Sequence, residues 1–157
     1  MQSEEVNIVQ VIHSVIDKVS LKAKEKGLKL ENILPTEAIF IEGDEKRLEQ
    51  ILINLFENAI QYTEEGQISI HVEKQNAQKV LIHLTDSGIG IPKEEIPYIF
   101  DRFHRVEKSR SRDYGGTGLG LSIVKKLIDL QHGSIEVLSE VGEGTTFKIE
   151  FPLLEKE

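Results

Sequence analysis

Three stretches of the chain carry apolar residues at the spacing of amphipathic helices. The first covers about residues 9–26, and Gly27 ends it. The second begins after Asp44, a typical N-cap residue, and continues to about residue 62. The third follows the glycine-rich run at 115–121, with apolar residues spaced every three or four positions. We therefore predict three helices, each burying one face.

Shorter segments between these helices have the composition and alternation of strands. The clearest is 67–73, where every second residue is Ile or Val. In all we predict six strands, over residues 28–30, 39–41, 67–73, 80–86, 134–139 and 145–151. Because helices and strands mix without regular βαβ alternation, the pattern predicts an α/β (α+β) two-layer sandwich with a mixed, largely antiparallel sheet covered on one face by helices.

Residues 87–117 break this regularity, because they are rich in glycine, proline and charge. We predict an irregular segment with one short helix near 96–100, and loops longer than about 15 residues are usually functional or disordered. Phe100 and Phe103 either attach this segment to the body of the domain or form a small core of their own. Between 105 and 112, four cationic residues against one glutamate give a net charge of +3.

Composition restricts the class of protein. The 157 residues are 39% hydrophobic and 29% charged, which is ordinary for a single globular domain. A net charge of −8 argues against a general nucleic-acid binder, which needs a basic face. The absence of cysteine excludes disulfides and cysteine-based zinc sites. No apolar run approaches the roughly 20 residues that span a bilayer, so we expect no direct membrane insertion.

The glycine-rich run at 115–121, with sequence Gly-Gly-Thr-Gly-Leu-Gly-Leu, precedes the third predicted helix. A loop without Cβ atoms can direct backbone N–H groups at an anion, and the positive end of a helix dipole adds to the attraction. The run therefore indicates a phosphate-binding site. A flexible hinge is the alternative, since the run matches neither of the two common glycine-rich phosphate-binding patterns.

Polar residues at the edge of two buried surfaces are further candidates. On the second helix, Asn54, Asn58 and Gln61 lie at i, i+4 and i+7, beside the apolar stripe. Either they bond to nearby backbone or they form a polar wall facing a ligand, where an asparagine oxygen suits Mg²⁺. Asp86 ends the apolar row of strand 80–86, and it either sits in water at a turn or accepts a hydrogen bond from a ligand's exocyclic amine.

Five blocks, in this order, resemble the ATP-binding catalytic domain (HATPase_c) of bacterial sensor histidine kinases, in the GHKL superfamily shared with gyrase and MutL. The N box resembles residues 54–63, the G1 box 86–92, the F box 99–105, the G2 box 115–121 and the last glycine motif 142–145. The resemblance covers nearly the whole chain, and the ordered set is far more specific than any one block.

The resemblance implies the Bergerat ATP-binding fold, with three helices on a mixed five-stranded sheet. It places ATP between the second and third helices, under a lid over about 93–117. The implied catalytic positions are Asn54, Asn58 and Arg105, with Asn58 as the Mg²⁺ ligand. The implied nucleotide-binding positions are Asn54, Asn58, Tyr62, Asp86, Gly88, Gly90, Ile91, Arg105, Lys108, Gly116, Thr117, Gly118, Leu119, Gly120, Leu121 and Thr145.

The resemblance also implies individual roles. Asp86 accepts from the adenine amine, Tyr62 lies against the ring, and Arg105 approaches the terminal phosphate. Gln61 stands where the family usually has lysine, which puts a cationic phosphate contact there in doubt. Asn54 stands where hydrolytic members carry a glutamate, so the pattern favours transfer to a positioned acceptor over hydrolysis.

The implied function is donation of the γ-phosphate of Mg-ATP to a histidine on a separate dimerisation domain and, through it, to a response regulator in two-component signalling. Two alternatives stay open: an ATP-sensing module without transfer, and a serine-directed relative such as an anti-sigma kinase. None of the five histidines lies in a phosphoacceptor-like motif. We therefore expect residues 1–157 to form one catalytic domain, monomeric and cytoplasmic, from a membrane-anchored parent that supplies the acceptor.

Overall fold

A mixed five-stranded sheet forms one layer of the domain, and three helices pack on it. The computed structural model describes residues 3–101 and 120–154. In chain order the elements are β1 (Glu4–Asn7), α1 (Ile8–Glu25), β2 (Lys29–Ile33), β3 (Phe40–Gly43), α2 (Glu45–Gln61), β4 (Gln67–Lys74), β5 (Lys79–Asp86), a short 3-10 helix (Ile96–Tyr98), α3 (Gly120–Leu130), β6 (Ser134–Glu140) and β7 (Gly144–Pro152). Among these described helices, none combines the length and apolarity needed to cross a bilayer.

The strand order of the large sheet is β2-β4-β5-β7-β6. Only β2 and β4 are parallel, and the other three pairs are antiparallel. Alternate residues of the three central strands point into one hydrophobic core shared with the helices; these residues are Ile68, Ile70, Val72, Val80, Ile82, Leu84, Phe147, Ile149 and Phe151. The predicted two-layer sandwich with a largely antiparallel sheet is therefore confirmed.

The sequence pattern did not predict one of the strands, β1. β1 pairs antiparallel with β3 in a separate two-stranded sheet, from Glu4 opposite Gly43 to Asn7 opposite Phe40. The strands on either side of Pro35 consequently belong to different sheets, since β2 pairs with β4 instead. Four residues of which only Val6 is buried give too little alternation to indicate a strand.

Both ends of α2 are held by side chains from elsewhere in the domain. At the N-terminus Asp44 Oδ1 accepts from the N–H of Arg47 at 3.2 Å, as predicted for an N-cap. The N–H of Asp44 donates to Gln131 Oε1 at 2.8 Å, which ties this end to the residue after α3. At the C-terminus Lys26 Nζ donates to the carbonyl of Ile60 at 2.6 Å, so a cation faces the negative end of the helix dipole. The two ends of α2 are thereby tied to the ends of the two neighbouring helices.

The described part of the predicted lid begins with turns and the short 3-10 helix. Ile99 is buried in the main core, and the Phe100 ring meets Phe147 edge-on with ring centroids 6.4 Å apart. Phe100 therefore attaches this segment to the body of the domain, one of the two arrangements expected from sequence. Phe103 and the rest of the predicted lid lie outside the described residues.

The loop after β5 and the turn between β6 and β7 interlock, and we call residues 87–91 together with 139–144 the loop–turn clasp. Gly142 N donates to the carbonyl of Ile89 at 2.9 Å. Gly90 has a φ of +77°, and a Cβ there would lie 2.2 Å from the carbonyl oxygen of Glu140. Gly144 likewise lies against Asp86, because its Cβ would come within 2.0 Å of the Asp86 carbonyl oxygen. The clasp thus holds the chain that leaves β5 against the neighbouring strands.

A pair of glycine substitutions separates backbone conformation from crowding in this clasp. Gly142 has a φ of +86° but nothing within 4 Å of its would-be Cβ, so Gly142→Ala should cost roughly 1–2 kcal/mol of stability through backbone conformation alone. Gly90→Ala adds a clash with the Glu140 carbonyl, and we expect it to cost about 2 kcal/mol more. Urea unfolding of both variants measures the difference, and equal losses would contradict the close approach at Gly90.

Candidate functional site

Asp86 is the polar end of an otherwise apolar row of buried residues on β5. β5 places Val80, Ile82 and Leu84 in the core, and by the two-residue period of a strand the next side chain on that face is Asp86, which is only 6% exposed. Of the two sequence-based readings, a turn residue in water is therefore wrong. The carboxyl group lies inside the domain, at the point where the chain leaves the sheet.

The N–H of Gly88 holds the Asp86 carboxyl group from the loop that follows β5. Gly88 N donates to Oδ1 at 2.9 Å, and the N–H of Thr145, the residue opposite on β7, also stabilises the charged form. Burial is nevertheless the larger effect, and the pKa of Asp86 is raised above its ordinary value. A carboxylate short of solvation gains from any further hydrogen-bond donor that a ligand brings.

The C-terminal end of α2 lies directly against Asp86 and Gly88. Ile89 N donates to the carbonyl of Tyr62 at 3.1 Å. A Cβ on Gly88 would meet that carbonyl oxygen at 2.3 Å, Thr63 Oγ1 at 2.8 Å and Asp86 Oδ1 at 2.9 Å. Glycine at 88 is therefore needed for the helix and the loop to approach each other.

The two asparagines lie on α2 at successive turns before this junction. Asn54, Asn58 and Tyr62 are spaced i, i+4 and i+8, so they follow one another along one side of the helix over roughly 12 Å. Both asparagines are half-buried, and neither side chain bonds to another residue in the part of the chain that the structure describes. Among the described residues, these amides therefore do not bond to neighbouring backbone, which was one of the two alternatives from sequence.

The next element beside α2 is α3, and its N-terminus is a further part of the candidate site. α3 packs against α2, and its buried residues are Val124, Leu127 and Ile128. Gly120 begins the helix with open space around its would-be Cβ, and Leu121 packs partly against the core. The remaining predicted positions, which are Arg105, Lys108, Gly116, Thr117, Gly118 and Leu119, lie outside the described residues.

The fold brings most of the described candidates into two adjoining groups. Around the end of β5 lie Tyr62, Asp86, Gly88, Gly90, Ile91 and Thr145. Asn54 and Asn58 extend from that group along α2, and Gly120 and Leu121 begin the helix packed beside it. The site thus has a carboxylate at one end and, along one wall, two amides that bond to no other described residue.

Sequence reasoning missed two side chains at the carboxylate end. Thr63 is 0% exposed, and its hydroxyl has no hydrogen-bond partner among the described residues. Ser139 accepts from Ile91 N at 2.7 Å and donates to the carbonyl of Gly144 at 2.9 Å. Thr63 stood in the N-box resemblance without a role. Ser139 carried no signal, because a serine near a strand end fits a solvent-facing position equally well.

The chemistry of this arrangement suits a ligand with an N–H donor at one end and anionic groups further along. A desolvated carboxylate accepts from an amine, while amide oxygens and a helix N-terminus suit a divalent cation and phosphates. A purine nucleotide has both features. The donor set on α2 therefore fits Mg²⁺ as a hard cation held partly by the nucleotide's own phosphates.

Comparison with known proteins agrees with this geometry. Residues 43–155 match the family model described as histidine kinase-, DNA gyrase B-, and HSP90-like ATPase. The signal transduction histidine-protein kinase ArlS of Staphylococcus aureus (strain USA300) is 41% identical over 151 residues, which are 95% of this chain and 33% of ArlS. The chain therefore spans about a third of the length of the curated relatives it matches.

Solved structures give the same result over the whole domain. The catalytic domain of the histidine kinase ThkA superposes with a TM-score of 0.83 at 33% identity, covering 97% of this chain and 98% of that one. The mycobacterial sensor histidine kinase MprB superposes with a TM-score of 0.85 at 25% identity, covering 98% and 100%. Full-length ShkA, solved with AMPPNP, gives 0.83 at 30% identity, covering 99% of this chain and 32% of ShkA.

These matches cover the blocks from which the family was predicted, and they confirm that prediction together with the three-helix, five-stranded fold. The chain belongs to the histidine kinase-, DNA gyrase B- and HSP90-like ATPase family, as an ATPase domain of the histidine-kinase type.

Proposed function

We propose that this domain binds Mg-ATP and presents the γ-phosphate to a histidine on a separate helical domain, as the kinase half of a two-component sensor. The observation that carries the proposal is the Asp86 carboxylate, buried at the end of β5 and joined through Gly88 to the helix that bears Asn54 and Asn58. The family membership and the AMPPNP bound to the related ShkA support the nucleotide.

Base recognition depends on Asp86. Its carboxylate keeps free lone pairs after the bond from Gly88, and burial makes a further donor valuable. The exocyclic amine of adenine is such a donor, whereas guanine presents a carbonyl at that position and would meet a second acceptor. Tyr62, which lies half-buried at the end of α2, borders the base. The site therefore prefers ATP to GTP.

The two asparagines of α2 serve the phosphate end of the site. Asn58 and Asn54 direct hard oxygen or N–H groups at the phosphates, and Asn58 would hold Mg²⁺. When bound, the ion would offset the negative charge of the phosphates. Gly120 and Leu121 begin α3, whose N-terminus favours anions. From the sequence resemblance we also assign the phosphate end to Arg105, Lys108 and the loop 116–119.

Transfer to a partner rather than to water follows from the side chain at position 54. Asparagine has no proton-accepting carboxylate with which to activate a water molecule, so the domain is poor at hydrolysis. Positioning the γ-phosphate toward an imidazole on another domain requires no base on this chain, because a neutral imidazole nitrogen is itself the nucleophile. The acceptor histidine therefore comes from a partner domain.

The first test concerns Asp86. Asp86→Asn preserves size and the acceptor for Gly88 N–H but can present an amide N–H to the adenine amine, so ATP affinity should fall about tenfold or more and the preference over GTP should vanish. Isothermal titration with both nucleotides measures this. An unchanged preference for ATP would refute the amine contact.

The same variant should gain stability at neutral pH. The folded-state pKa of Asp86 is raised, so its contribution to folding is present below the ordinary value of 3.8 and is lost as pH rises through the folded pKa. Asparagine carries no charge at any pH. Thermal unfolding should therefore show Asp86→Asn above wild type at pH 7, with the difference shrinking as pH falls toward 3.8. A constant difference across pH would contradict burial of the charge.

A second test addresses the metal. Asn58→Ala should weaken Mg-ATP binding about tenfold and metal-free ADP binding much less, because it removes an oxygen that serves the ion. Gln50→Ala, an exposed amide on the same helix, is the matched control and should change neither affinity. If both nucleotides lose affinity equally in Asn58→Ala, the assignment to Mg²⁺ is wrong.

The third test is transfer itself. The chain is mixed with the phosphoacceptor domain of a matching histidine kinase such as ArlS and with ATP labelled on the γ-phosphate. We expect an acid-labile, alkali-stable phosphohistidine on the partner. A partner variant that lacks the acceptor histidine should stay unlabelled. Binding without any transfer would instead indicate an ATP-sensing module, and acid-stable label on serine would indicate a serine-directed kinase.

A further inference from the structure

The Ser139 hydroxyl lies at the centre of three hydrogen bonds within the loop–turn clasp. It accepts from Ile91 N at 2.7 Å, donates to the carbonyl of Gly144 at 2.9 Å and lies 2.8 Å from Thr145 Oγ1. A serine hydroxyl has one proton and two lone pairs. Because the proton goes to Gly144, the hydroxyl of Thr145 must donate to Ser139. The bonding capacity of Ser139 is then fully used.

The carbonyl that Ser139 contacts belongs to the same peptide group as the N–H of Thr145, the residue paired with Asp86 across the sheet. The carbonyl of Gly144 and the N–H of Thr145 are the two ends of one planar peptide. Ser139 donates to the first end, and the second end stabilises the charged Asp86 carboxylate. A donor at the carbonyl polarises the peptide and strengthens the bond made by its N–H.

We infer that Ser139 is a positioning residue for recognition of the base: it orients the Gly144–Thr145 peptide against the Asp86 carboxylate and holds the loop at Ile91 in the same arrangement. This inference rests on the proposed function. Ser139 does not touch the nucleotide in this scheme. It acts through Asp86, by fixing the direction of the carboxylate lone pairs that remain for the ligand.

The Gly144–Thr145 peptide lies at the start of β7, between Asp86 on β5 and the end of β6. Gly144 has a φ of +130°, a region that glycine enters easily and leaves as easily. Its peptide is also the first of β7, at the end of the ladder with β6, where Glu140 pairs with Gly144. The side chain of Ser139 therefore supplies a contact that backbone pairing at a strand end does not guarantee.

The test compares Ser139→Ala with Ser139→Thr, which keeps the hydroxyl. Ser134→Ala is the matched control, because Ser134 lies at the opposite end of β6 and contacts only Glu150 through a 3.4 Å bond among the described residues. Binding of ATP and of GTP is measured by isothermal titration, and thermal unfolding is recorded for each variant.

We expect Ser139→Ala to lower ATP affinity roughly three- to tenfold, the equivalent of one hydrogen bond, with little change for GTP. The ATP-to-GTP preference then falls by the same factor, while Ser139→Thr and Ser134→Ala keep the wild-type preference. In an Asp86→Asn background, Ser139→Ala should produce no further loss of ATP affinity, because its effect passes through that carboxylate.

Other outcomes separate this inference from the proposed function. If wild type and Ser139→Ala show the same preference, and only the thermal midpoint falls, Ser139 is a structural residue and the inference is overturned. An equal fall in ATP affinity in the Asp86→Asn background would also overturn it, because Ser139 would then act independently of Asp86. If wild type itself does not bind ATP, the proposed function fails as well.

Discussion

The burial of one carboxylate sets the requirements for the rest of the site. Asp86 ends a row of core residues, and removing it from water disfavours its charged form. Such a group is tolerated because backbone N–H groups of Gly88 and Thr145 approach it. Both N–H groups lie in tight backbone that needs glycine at 88 and 144. A ligand amine would complete the solvation that these two groups leave incomplete.

Because α2 is held at both ends, the Asp86 carboxylate and the asparagines of the helix keep a fixed relative position. The helix is held by Asp44 and Gln131 at one end and by Lys26 at the other, and its C-terminus packs against the loop that contains Gly88. In the proposed function, a base recognised at Asp86 would place the phosphates beside the amides of Asn58 and Asn54, one and two turns back along the helix. A domain with no base at position 54 would then direct a phosphoryl group by positioning, which supplies much of the catalysis in such transfers.

Stability and function oppose each other at the same point. Close together around the end of β5 lie the buried Asp86 carboxyl group, a Thr63 hydroxyl with no hydrogen-bond partner among the described residues, and positive-φ glycines at 90, 142 and 144. Strained and poorly solvated groups concentrate where ligands bind, because the rest of the fold holds them in place. Here the loop–turn clasp and the two ends of α2 provide that support.

The sequence by itself determined the helices, the long strands, the N-cap at Asp44 and the family, because periodicity and ordered motifs are local properties of the chain. It left open whether Asp86 faces water, whether the α2 amides bond to backbone, and which strands pair, and it missed β1 and the hydrogen bonds of Ser139. Only the tertiary structure decided these points, since burial and hydrogen-bond partners depend on residues far apart in sequence. Asp86 lies opposite Thr145, and Ile91 bonds to Ser139, only after the sheet has brought their strands together.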